Sequence, residues 1–364
     1  MTIEKKKPYL CLVLKQFVCL RFNPGRDMKH VSLLIILLTT ILITLSCKEE
    51  ITKPEEPPAG RRDYVWTRDT LRADKDGFQF LSGIWGSSPS DVWVVGDAAT
   101  YVNKVWHYDG TKWKNYLLDQ YAEPSKLHGV SSSEIWMVTA TSDIWKYNGS
   151  KWYKHTTIVP PGYNRILFQD IYGYTNNIYA VGIAEKTDGD YTGIIVHHDG
   201  TKWEIVKTPQ IKEYFIGVSF INGGDILVAA TTFFDPTESY RLYKLTNGEL
   251  TLVQKNKMDY RLGILDNKMY VNTNRKIYGY ESGTLVEKID LTSTNYNGGI
   301  VGRSIKDFFS ANAGWNLGHY NGSDHINIYP ANGSIIKILT LINDVFVICY
   351  TLDNQNYILH GKLK

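Results

Sequence analysis

The phrase HYDGTKW at residues 107–113 returns as KYNGSKW at 146–152 and as HHDGTKW at 197–203. Its glycine can be followed to the end of the chain, at Gly110, Gly149, Gly200, Gly248, Gly283, Gly322 and Gly361. The gaps are 39, 51, 48, 35, 39 and 39 residues, which makes seven units with a mean near 42. A regular period of this size restricts a chain to solenoids, propellers or arrays. A second phrase precedes each glycine. It is clearest as LSGIWGSSPSDVWVVGD at 81–97 and returns as LHGVSSSEIWMV from Leu127 and QDIYGYTNNIYAVG from Gln169. Fainter forms start at Ile216, Leu262, Val301 and Leu339.

Each unit therefore reads as strand, tight turn, strand, loop, strand, tight turn, strand. Four short strands in about 40–45 residues match one blade of a β-propeller. Runs such as DVWVVG and EIWMVT carry apolar residues on both faces, as strands covered on both sides do. Short Val, Ile, Tyr and Trp runs abound, with 25 Tyr and 10 Trp in the chain, and no amphipathic helical period stands out after residue 60. The predicted fold is all-β, a seven-bladed β-propeller over 63–364. The seventh unit ends at Lys364 without a fourth strand, and DYVWTRDTL at 63–71 is a lone strand. The N-terminal strand is expected to complete blade seven, which removes an exposed sheet edge.

This repeat also suggests what the opening phrase is for. Asp-Gly and Asn-Gly tolerate the positive φ of a two-residue hairpin turn, so the phrase is read as the turn between third and fourth strands. The Trp after it is expected to pack the outer strand against the next blade. In the third copy, His197-His198-Asp199 looks catalytic alone but falls on the same turn position.

The first 60 residues are different. Residues 31–46, VSLLIILLTTILITLS, are uncharged, follow Met28-Lys29-His30 and precede Cys47. The run is short for a membrane-spanning helix and has the size and flanks of a signal peptide. Residues 1–46 are read as a leader, with 28–46 as its core and Met28 as a second possible start. Residues 47–62, CKEEITKPEEPPAGRR, are rich in proline and charge and read as a tether. The leader carries the positive charge. The whole chain is +3, whereas residues 48–364 hold 33 basic and 35 acidic residues. That balance gives no indication of a nucleic-acid partner. After residue 46 only Cys47 and Cys349 remain, so neither a disulfide framework nor a zinc cluster can be built. Cys349, in DVFVICY, reads as an inert buried thiol.

The run ending in TLSC resembles a bacterial lipoprotein signal, with Leu45 two rather than three places before the cysteine. The resemblance implies acylation of Cys47, and CKEE is similar to the acidic export signals of surface-exposed Bacteroidetes lipoproteins. GIWGSSPSDVWVVGD followed by WHYDGTKW resembles the repeats of bacterial propeller lipoproteins akin to BNR and kelch-like propellers, over roughly 64–364. The turn phrase is also loosely similar to the Asp-box of sialidases, without that motif's Ser and second Gly. The implied location is the bacterial outer membrane, lipid-anchored, on the surface or periplasmic face.

Loop lengths break the sevenfold symmetry. Turns between strands one and two, and three and four, are short and share one rim. The opposite rim carries long connections at 97–103, 184–193 and 232–240 within blades, and at 117–126, 158–165 and 208–214 between blades. All six belong to blades one to four. They hold Tyr101, Tyr121, Tyr163, Tyr191, Tyr214, Phe233 and Phe234, aromatic residues suited to a protein or glycan ligand. The expected function is a monomeric, non-enzymatic binding or scaffold module with no cofactor. The alternative is an envelope glycosidase, sialidase-like enzyme or lyase using acids near the central channel. Arg165, Arg261 and Arg303 lie near first strands at different offsets from the shared glycine, which argues against an arginine cluster. Asp188 and Asp190 in TDGDYTG are weak calcium candidates.

Overall fold

The computed structural model describes residues 58–72, 78–100, 102–220, 224–232 and 235–364. They form seven four-stranded antiparallel sheets, and among the described residues there is no α-helix. Blade one shows the plan, with strands Gln79–Ser88, Asp91–Ala98, Val105–Tyr108 and Trp113–Asn115 in that order. The first strands of the other blades are Pro124–Ser131, Arg165–Tyr174, Tyr214–Phe220, Arg261–Leu265, Tyr296–Ser304 and Ser334–Thr340. These seven strands line the centre.

The seven-bladed, all-β expectation holds, and so does the closure. Blade seven consists of Ser334–Thr340, Asp344–Tyr350, Asn356–Leu363 and then Tyr64–Thr70 from the other end of the chain. The register runs from Tyr64 opposite Leu363 to Thr70 opposite Tyr357. Ordered packing begins slightly before that strand. Gly60 donates its backbone N–H to Lys306 and Asn321 carbonyls, and Arg62 Nε donates to His319 Nδ1 at 3.2 Å.

The turn phrase does form the turn between third and fourth strands, but not by a two-residue loop. Residues 109–112 make it, and only the glycine takes positive φ, 91° at Gly110 and 98° at Gly200. The preceding side chain closes it. Asp109 Oδ1 accepts the backbone N–H groups of Thr111 and Lys112, both at 3.0 Å, together with the Thr111 hydroxyl. Asn148 and Asp199 repeat the pattern, and Asn321 accepts the same two N–H groups. The phrase is thus an Asx-closed loop whose Asp or Asn, Gly and Thr or Ser each have a mechanical role. Blades four and five do use the expected two-residue loop, with positive φ at both Asn247 and Gly248 and at both Ser282 and Gly283, whereas Gly361 makes no turn. It lies inside Asn356–Leu363 at ordinary φ, because no strand follows it in sequence. A Cβ there would strike the ring of Trp66.

The tryptophans pack backwards, not onto the next blade. Trp152 of blade two meets Trp93 of blade one edge-on at 5.6 Å, and Trp203 of blade three meets Trp136 of blade two at 5.4 Å. Trp113 reaches back across the closure, with Nε1 donating to Asp69 at 3.2 Å. Blades one, two and seven therefore each present a second-strand aromatic to the outer-strand tryptophan of the blade that follows. Trp152 is 3% exposed. Trp152→Ala should lower the unfolding free energy by about 3–5 kcal/mol in a denaturant titration. Trp152→Phe should cost far less, because it keeps a ring and the indole N–H has no hydrogen-bond partner to lose. Equal losses would show that ring packing is not what joins these blades.

Candidate functional site

The two rims differ in what they expose. In an antiparallel blade, the two short turns fall at one end, and the remaining connections at the other. Thirteen large apolar side chains are exposed among the described residues. Five stand on outer strands: Val65, Ile205, Leu252, Val286 and Ile326. The short-turn rim has one, Ile342. The long-loop rim has seven. Phe78, Leu117, Tyr121 and Val159 belong to blades one and two and the connection leading into them, while Met258, Trp315 and Leu352 lie on blades five to seven. Seven against one makes the long-loop rim the apolar, contact-ready face.

The sequence-predicted rim aromatics lie on this face where the structure describes them. Tyr191 and Tyr214 come together, with ring centroids 4.7 Å apart. Tyr121 stands apart under the buried Lys104, whose Nζ is 4.7 Å from its ring, and donates its hydroxyl to Glu123 at 2.7 Å. Tyr163 packs partly against the blade-three core, 5.3 Å from Lys186 Nζ. Cys47, Tyr101, Phe233 and Phe234 lie outside the described residues. Asp190 is engaged by Lys186 at 2.9 Å and Lys212 at 2.8 Å, which hold its carboxyl well below the usual range. These pairs tie loop 184–193 to loop 208–214. Asp188 accepts the Asp190 backbone N–H, so both calcium candidates serve the loop itself.

Loop length alone places every long-rim feature in blades one to four. Met258, Trp315 and Leu352 were missed because their loops are short. Trp315, at φ 57° after Gly314, is forced outward by a tight turn, and ANAGW was the only available signal.

A channel opens within this rim. Its upper part has a volume of about 320 Å³, and a second space of about 350 Å³ continues below and shares Lys126, Asp170, Leu262 and Lys337 as wall. Lys126 Nζ donates to the Ser82 carbonyl at 3.1 Å. Burial, then the neighbouring positive charge of Lys337, push its pKa down to about 8. Asp170 accepts the Val218 N–H at 3.1 Å, and Arg261 donates to Asp259 at 2.6 Å. Of the three arginines, only Arg261 lines this channel. Arg165 pairs with Glu185, and Arg303 with Asp307 and the Tyr64 hydroxyl.

His197 stacks on Tyr179 at 4.2 Å and lies 2.8 Å from Asn177 Oδ1, while His198 tilts against Trp136. Both are packing groups. Cys349 is fully buried, and burial raises its thiol to about 11. It should stay unlabelled by a thiol reagent on the native propeller and react once denatured; fast native labelling would show the blade-seven core opening.

No family profile matches this chain, and no curated protein does. Among solved structures it is similar to YCF48 bound to a D1 peptide, at 13% identity and a TM-score of 0.57, over 84% of this chain and 99% of that one. It is similar also to YCF48 from Cyanidioschyzon merolae, at 13% identity and 0.53, over 82% and 98%. A third is the extracellular domain of a hybrid two-component system from B. thetaiotaomicron, at 11% identity and 0.50, over 77% of this chain and 40% of that one. At these identities the likeness establishes a β-propeller and nothing finer.

Proposed function

We propose that this chain is a binding module that takes a protein partner on its long-loop rim, and that it is anchored in a bacterial envelope through lipid on Cys47. The observation that carries the first half is the sevenfold excess of exposed apolar side chains on that rim. Their chemistry favours protein over glycan. Sugars stack on flat aromatic rings, whereas Leu117, Val159, Met258 and Leu352 are aliphatic and suit apolar side chains of a partner. The paired Tyr191 and Tyr214 and the supported Tyr121 add rigid anchors with polar tips. One propeller with this fold, YCF48, takes a D1 peptide, which supports a polypeptide ligand. The anchor reading rests on the uncharged run at 31–46, the cysteine after it and the charged, proline-rich tether.

Capture from solubilised envelope tests the rim. The full chain, a Met258→Ala/Trp315→Ala/Leu352→Ala variant and an Ile342→Ala control should be compared by quantitative mass spectrometry. Proteins enriched by the wild type and the control should be lost from the triple variant. An unchanged captured set, or binding only to glycan beads, would overturn the protein-partner reading. Whole-cell labelling with an impermeant biotin reagent tests the anchor. Membrane-associated signal should depend on Cys47 and vanish in Cys47→Ala; equal membrane retention of both forms would sink lipidation at that residue.

A further inference from the structure

The first strands place one residue from every blade at the same depth in the channel. The level is set by pairing. Gly83, Lys126, Asp170, Gly217, Arg261 and Lys337 face Val95, Val138, Val181, Ala229, Asn272 and Ile348, the matching position of each second strand. Gly298, facing Ala311, completes the layer from blade six. Three cations thus share a layer with one carboxylate and three glycines. Arg261 is answered by Asp259 at the mouth, and Asp170 also offers its charge to Lys126. One positive charge is left over. Among the described residues Lys337 has no ion pair or hydrogen bond, and the only acceptor for Lys126 is the Ser82 carbonyl. Of the three glycines, Gly217 leaves its place in the layer open, whereas the Arg261 guanidinium lies over Gly298 and the Leu127 side chain over Gly83. Above the two ammonium groups the wall is aliphatic, formed by Ile216, Ile335 and Ile336, while Leu262 and Ile300 continue it below.

We propose that the channel is a site for a small amphipathic monocarboxylate, with its carboxylate between Lys126 and Lys337 and its aliphatic part against the isoleucine wall above. A single negative charge balances the layer, whereas a phosphate dianion would overshoot it. An ammonium group donates up to three hydrogen bonds, and charge-assisted bonds to a carboxylate are the strong ones. Apolar walls with a few convergent polar groups are the usual form of a small-molecule site, and its volume is within the usual range. This site is separate from the protein-binding rim, since no exposed rim side chain named above lines it.

Hexanoate is the probe, titrated calorimetrically into the purified full chain, with hexanol and inorganic phosphate as controls. Hexanoate should bind, and hexanol and phosphate should bind much more weakly. Lys126→Met and Lys337→Met should each weaken hexanoate by about tenfold or more, the worth of one charge-assisted bond. Asp170→Asn should tighten it, because the competing carboxylate is gone, an effect that mere structural damage would not give. The groups facing Lys126 are Lys337, Asp170, Arg261 with Asp259, and His128 on its own strand. Of these, the Lys126 ammonium is held down to about 8. Affinity should therefore fall as pH rises through about 8, when that group loses its charge, and Lys126→Met should abolish the step. No binding of hexanoate, or binding that ignores both lysine variants while their melting temperatures are unchanged, overturns the proposal. Equal, lysine-dependent binding of phosphate overturns the amphipathic part and leaves an inorganic-anion site.

Discussion

The propeller depends on a contact made near the short-turn rim of nearly every blade. The first residue of the second strand reaches a base on the third, and that base lies across an aromatic ring of the second strand. Asp91 and His107 are 2.8 Å apart, and the imidazole stacks on Trp93 at 4.2 Å. Asp344 and His360 repeat this over Phe346, Asp307 and His319 over Phe309, and Glu134 and Lys146 over Trp136. Asn177 and His197 use a neutral version over Tyr179. In blade four Asp225 and Lys244 keep the pair without a ring, and in blade five Gly279 stands where the base would be. Trp93, Trp136, Phe309 and Phe346 are buried, and in blades one, two and seven the clasp fixes the face that the next blade's tryptophan meets. A polar pair half shielded by an aromatic is worth more than the same pair in water, because the ring excludes solvent from one side.

Placing the locks at one end leaves the other end free. Asx-closed turns, acid–base pairs and tryptophans all concentrate toward the short-turn side. Long connections can then vary without loosening the ring, as scaffolds with functional loops do. That is why exposed apolar groups can gather on the long-loop rim, where nothing structural needs the surface.

The sequence made the ring legible because turn chemistry is local. Asp or Asn, Gly, Thr or Ser and Lys in a row specify one loop, and the period follows from its repetition. Closure by the strand at Tyr64 was readable from the missing fourth strand. The backward direction of Trp152 and Trp203 was not, since a period says nothing about which neighbour a side chain meets. The channel layer was hidden for a different reason. The unequal offsets of Arg165, Arg261 and Arg303 from the shared glycine argue against an arginine cluster, which the structure bears out, but an offset does not show that Arg261 and Lys126 share a depth. The register shows why the offset misleads. Blade two carries a bulge between Gly129 and Ser131, downstream of Lys126, and blade five has none after Arg261. One inserted residue moves the count without moving the depth.

The two polar systems of this ring obey different rules. Along the short-turn side, each base in the clasped blades has an acceptor of its own, and the aromatics keep water from one face of the pair. In the channel, Lys126 and Lys337 face one aspartate between them, and Gly217 stands where blade four has room for a carboxylate. Holding like charges near one another in a narrow, partly dry space costs folding free energy. A structural layer would avoid that cost with an acid at position 217 on blade four, as the clasps do. The propeller instead leaves one charge of the layer without a partner from its own chain, and a carboxylate ligand is the group that would supply one.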